Sequence, residues 1–166
     1  MAAASKHPDI TVMDMYLTRV ETSSLMNLAD CYVSLHRSEG LGLTLSEAMS
    51  LGKPVIATNY SGNIDFMNGT NSYLVSWDRV AVGQNAEGYA AGATWAEPNI
   101  SEASQLMRCV FENQAQAHET GQKAQNDILK GFSGATSGAI MKSRLSEIWK
   151  NLMTSPTSFS TNHEAD

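Results

Sequence analysis

Cysteine, proline and positive charge are all scarce in this chain, and two of these scarcities close off whole classes of protein. Two cysteines, Cys31 inside an apolar run and Cys109 in a helical pattern, are too few for a disulfide framework or a thiolate metal site. They read as reduced core thiols. Eleven Lys and Arg face seventeen Asp and Glu, a net charge of -6. No Lys/Arg stripe exists to neutralise a phosphate backbone, so the composition argues against nucleic acid and against an anionic membrane surface. No apolar stretch approaches the ~20 residues that span a bilayer. The opening MAAASKHPD lacks the apolar stretch of a secretory signal. The chain therefore reads as cytoplasmic, and the sequons Asn68-Gly69-Thr70 and Asn99-Ile100-Ser101 as coincidence.

What remains is an ordinary globular composition, 42% hydrophobic and 17% charged over 166 residues, enough for one domain with a proper core. DITVMDMY (9–16) is short, apolar and partly β-branched, which predicts a strand. Thr18 and Glu21 have capping-box spacing, predicting a helix that ends near Ala29 and buries Val20, Leu25 and Leu28. CYVSL (31–35) and PVIAT (54–58) are nearly all apolar, as strands covered on both faces are. Between them LTLSEAMSLG is helical by pattern, with Gly52 where a helix C′ glycine belongs. A short helical stretch near 63–67 and a strand SYLV (72–75) follow. Alternating strand and helix predicts an α/β fold on a parallel, doubly wound sheet. Residues 77–97 read as a long irregular connection, and helical runs follow at 101–116, 119–131 and 134–152. The domain is expected over 1–153, with a disordered polar tail at 154–166.

Open α/β sheets bind ligands beyond the carboxyl ends of their strands. HRSEGLG lies there after strand 31–35, and NYSGN after strand 54–58, so both loops can face one crevice. In HRSEGLGLTLSEAM (36–49) Glu39 precedes Gly40-Leu41-Gly42, and Glu47 falls within the following helix. Glycines let a ligand approach the backbone, and a helix N-terminus presents unpaired N–H groups that suit a phosphate. Each element also has a plain structural reading: Gly-x-Gly as a tight turn, Thr44 and Glu47 as a capping box, Glu39 as a solvated loop acid. His36 and Arg37 likewise read as polar residues at a strand end. The third glycine of G-x-G-x-x-G is missing and no G-K-[ST] follows, so dinucleotide and P-loop fingerprints are absent.

Taken together, ADCYVSLHRSEGLGLTLSEAMSLGKPVIATNYSGNIDFM closely resembles the donor-binding core of retaining GT-B glycosyltransferases of glycosyltransferase family 4, also called glycosyl transferases group 1. That family carries a Glu-x7-Glu motif, matched here by Glu39 and Glu47. The resemblance implies that Glu39 meets hydroxyls of the transferred sugar and is the residue nearest the chemistry. It implies that Gly42, Leu43 and Thr44 offer backbone amides to the diphosphate, that Gly40 and Leu41 belong to the same donor-binding stretch, and that Glu47 holds the ribose. It continues more weakly through WAEPN and the helical C-terminus, over roughly 9–152.

Leu41 stands where the family often has an aromatic residue, and Ser61-Gly62-Asn63 with Asp65 where Gly-Gly and a downstream Glu are usual. The family's diphosphate-clamping Arg and Lys, and its acceptor-binding N-terminal domain, belong upstream of the matched region. The expectation is therefore the donor half of a transferase that moves a sugar from a nucleotide sugar to an unknown acceptor with retention. No metal or other cofactor is expected, since SWDR and NIDF offer only single acids. By itself such a fragment should be inactive. A catalytically silent binding or interaction module of the same fold is the alternative, and a related sugar-nucleotide epimerase fold accounts less well for HRSEGLG.

Overall fold

The computed structural model describes residues 7–83, 88–90 and 92–154. Three strands, β1 (Tyr32–Ser34), β2 (Val55–Thr58) and β3 (Tyr73–Val75), form a parallel sheet in the order β1-β2-β3. The helices are α1 (Arg19–Leu28), α2 (Leu43–Ser50), α3 (Ile100–Glu112), α4 (Gln114–Gly131) and α5 (Gly134–Thr154). Every residue of β2 is buried, as its unbroken apolar run requires. Its alternation divides the core in two. Val55 and Ala57 pack with Leu45, Ala48 and Met49 of α2 and Ala124 and Ile128 of α4. Ile56, with Val75, packs on the other face with Ala103 and Val110 of α3 and Ala117 of α4. This is the α/β parallel sheet that the order of elements predicts.

Two glycines carry the packing of α2 against α4. Gly52 ends α2 at φ +72°, the left-handed C′ position expected from the sequence. A Cβ on Gly121 would lie 2.2 Å from the Gly52 carbonyl oxygen, so only glycine lets the two helices meet this closely.

Four expectations are corrected. Residues 9–16 form no strand; Ile10, Val12, Met13 and Met15 are exposed. Apolar composition alone does not make a strand, and no described strand pairs with this segment. Helix α1 has the expected Thr18–Glu21 capping box, but Met26 is its buried residue while Val20, Leu25 and Leu28 are exposed. Its apolar spacing is uneven, and the long flexible methionine is the side chain that reaches the core. The connection expected at 77–97 contains an antiparallel ribbon, β4 (Trp77–Ala81) and β5 (Thr94–Pro98), pairing Trp77 with Pro98 and Ala81 with Thr94. Residues 84–87 and 91 of that stretch lie outside the described residues. Finally, the helical run expected to reach 116 breaks at Asn113, whose Nδ2 donates to the Cys109 carbonyl and ends α3. Helix α5 extends through Thr154, and the rest of the expected tail, 155–166, lies outside the described residues.

Candidate functional site

The carboxyl ends of β1 and β2 carry two loops that touch each other. Glu39 accepts a hydrogen bond from Gly62 N–H at its carbonyl oxygen (3.2 Å). Ser61 Oγ accepts from Glu39 N–H (3.2 Å) and donates to the same carbonyl. The approach is close enough that a Cβ on Gly62 would sit 2.0 Å from the Gly40 carbonyl oxygen. Ser61 has φ 78° and ψ -154°, a region almost reserved for glycine, and is the one non-glycine described residue with positive φ. The two loops expected to face each other do meet, with their backbones in direct contact.

Beyond Glu39 the chain turns into α2 through Gly42, in the left-handed region at φ +84°. Glu39 Oε1 accepts the Gly42 N–H at 3.2 Å, so this half-buried carboxylate faces the turn. No side chain caps the helix, and the amides of its first turn have no intrahelical acceptor. Leu41, Leu43 and Thr44 are exposed around this open end. Thr44 is therefore inside the first turn and not its cap, and the Thr44–Glu47 capping box does not form. Glu47 lies in the second turn, exposed, on the edge of a groove of about 320 Å³ that also involves Leu41, Ser46, Phe66 and Phe132.

His36 and Arg37 are more than polar residues at a strand end. His36 Nε2 lies 3.0 Å from the Tyr60 carbonyl and 3.1 Å from Asn63 Oδ1, and Nδ1 lies 3.3 Å from Ser34 Oγ. The Arg37 guanidinium donates twice to Glu97, at 2.6 and 2.9 Å, and stacks 4.6 Å above the Trp95 ring. This pairing lowers the Glu97 carboxyl from its ordinary value and raises Arg37. The Arg37 carbonyl accepts from Ala96 N–H, so the residue ties the ribbon to β1 by main chain and side chain. Sequence reasoning missed these roles. Glu97 lies 60 positions from Arg37, and nothing in the local pattern links them. Cys31 and Cys109 are both free thiols, and burial pushes Cys31 up to about 11.

The family model for glycosyl transferases group 1 matches residues 8–127. The chain belongs to this family. Among solved structures, this group 1 chain superposes on Alr3699/HepE from Anabaena, crystallised with UDP, at TM-score 0.59 and 21% identity over 78% of the chain. It superposes on sucrose-phosphate synthase from Thermosynechococcus elongatus at TM-score 0.58 and 16% identity over 76%. TarM matches at TM-score 0.52 and 26% identity over 84%. These are GT-B glycosyltransferases, and the α/β architecture of the chain matches theirs. The chain spans 30%, 27% and 22% of their respective lengths. No curated protein matches it significantly.

Proposed function

We propose that this chain is the donor-binding part of a retaining glycosyltransferase of family 4, holding a nucleoside diphosphate sugar between the Glu39 loop and the N-terminal end of α2. The observation that carries the reading is the uncapped start of α2 behind a left-handed Gly42, with one acid on each side of it. An open helix end offers several N–H donors and the positive end of a dipole to a diphosphate. In this reading the Leu43 and Thr44 amides meet the phosphates, joined by that of Gly42 once a donor displaces Glu39 from it, while Glu39 accepts hydroxyls of the sugar and Glu47 accepts both ribose hydroxyls. Structures of Alr3699/HepE hold UDP, UDP-glucose, and UDP with glucose, which supports a uridine or similar nucleotide for this fold. No divalent cation belongs to the proposal, so EDTA should leave nucleotide affinity unchanged.

Glu39 orients the sugar in this scheme and is the residue nearest the reaction. Interactions made only with the reacting sugar raise turnover more than affinity. In the complete transferase, Glu39→Ala should therefore cut turnover far more than it weakens the free nucleotide. Glu47→Gln should weaken the nucleoside diphosphate roughly tenfold, since a charge-assisted hydrogen bond contributes ~1.5–3 kcal/mol, and Glu47→Asp should cost less. Transfer kinetics measure the Glu39 effect, and calorimetric titration with UDP, ADP and GDP measures the affinities. Normal binding by Glu47→Gln would move Glu47 off the ribose.

A silent binding module of the same fold is the second reading, and Arg37 favours it. The one guanidinium in the HRSEGLG segment is committed to Glu97, leaving the diphosphate no guanidinium from that segment. Transfer by the complete protein would exclude it.

A further inference from the structure

We propose that His36 is a positioning residue for the Glu39 loop, acting as the Nε2–H tautomer through the Tyr60–Asn63 turn. The tautomer follows from its neighbours. Asn63 is fully buried, and its Nδ2 donates to the Thr58 carbonyl at 3.0 Å. That donation fixes the amide, because a flipped Asn63 would set two oxygens against each other. Asn63 Oδ1 therefore faces His36 Nε2, as the Tyr60 carbonyl does, and neither can donate. Nε2 must carry the proton, shared between two acceptors. In the neutral ring Nδ1 is then the acceptor for the Ser34 hydroxyl.

These bonds bracket the strained residue. Tyr60 and Asn63 flank Ser61 and Gly62, which hold the Glu39 backbone. A serine at φ 78° relaxes unless both sides of the turn are fixed. His36 fixes them from β1's end, two residues after the strand and three before Glu39. The loop that presents Glu39 and the Gly42 amide is thus clamped at His36 and at Ser61. Its value for donor binding rests on the function proposed above, but the clamp itself does not.

The test uses three variants of the whole chain. In His36→Gln the side-chain Nε2 can take the place of the ring N–H, in His36→Asn it cannot reach, and in His36→Ala both acceptors are abandoned. Expected for the wild type are ring ¹⁵N shifts of an Nε2–H imidazole. His36→Ala and His36→Asn should move the amide resonances of Glu39, Gly42 and Gly62 while leaving Val55 and Ile56 in place, and His36→Gln should restore them. UDP affinity should fall roughly fivefold in His36→Ala, the loss expected for one to two neutral hydrogen bonds, and recover in His36→Gln. An Nδ1–H ring, unmoved Glu39 and Gly42 amides, or equal restoration by Asn would overturn the proposal. Failure of the wild type to bind UDP, ADP or GDP would instead sink the donor-site reading, and the ring and amide shifts would still decide the role of His36.

Discussion

Gly62 shows how a residue without a side chain can hold two loops together. Its missing Cβ is what allows the Gly40 carbonyl to lie where it does. Gly62→Ala must push the loops apart, because the Gly40 carbonyl is backbone and cannot rotate away. The expected outcome is loss of nucleotide binding together with a lower melting temperature. Leaving Gly69 as the control is informative, since a Cβ there meets nothing and Gly69→Ala should bind normally. Calorimetry and thermal melting of both variants make the comparison. Some of this site was legible in the residues alone. Gly42, and Gly52 at the far end of α2, announce themselves because glycine beside a strand end or helix end has few other uses. Ser61 does not, since serine normally avoids its conformation, and His36 does not, since its partners lie 24 and 27 positions away.

The β4–β5 ribbon is anchored in part through a carboxylate, and that part should depend on pH. Arg37 holds it through Glu97 and Trp95, and the Glu97 carboxyl is lowered chiefly by the hydrogen bonds from Arg37. A carboxyl lowered in the folded state adds stability above its unfolded value and loses it as pH falls through the folded one. Acidification through and below the ordinary carboxylate range should therefore loosen the side-chain tie between the ribbon and β1, leaving the main-chain bond from Ala96 to Arg37 in place. Both groups are partly exposed, so salt should weaken the anchor and the effect should be modest. The Trp95 indole resonance, followed against pH, reads this directly; in Glu97→Gln that pH dependence should vanish. The ribbon also marks where sequence reasoning fell short. WDRVA and TWAEP are only five residues each, and the glycines between them drew attention to the loop instead of its arms. The opposite error occurred at 9–16, where strand-like composition met no strand to pair with. Pairing is a property of two segments, and one segment's pattern shows only half of it.

At the scale of the molecule, the chain leaves much apolar surface in water. β1 is an edge strand with Val33 partly exposed, and Met107 and Phe111 of α3 border the same groove. Helix α5 buries none of its residues and exposes Met141, Leu145, Ile148 and Leu152 along one stripe. Such surfaces favour association. We therefore expect these 166 residues to self-associate with concentration. Light scattering across a dilution series tests this, and an average mass that stays at that of one chain throughout would refute it. The sheet has a different kind of consequence. Its strands lie side by side in the order in which they occur along the chain, so β1, α2, β2 and β3 can assemble through short loop closures. Helix α4 must come back from much farther, as the bond from Gln125 to the Ser50 carbonyl, 75 positions apart, records. Loop closure is therefore costlier for bringing α4 onto α2 than for pairing neighbouring strands, and one flank of α2 stays bare until Gly121 meets the Gly52 carbonyl.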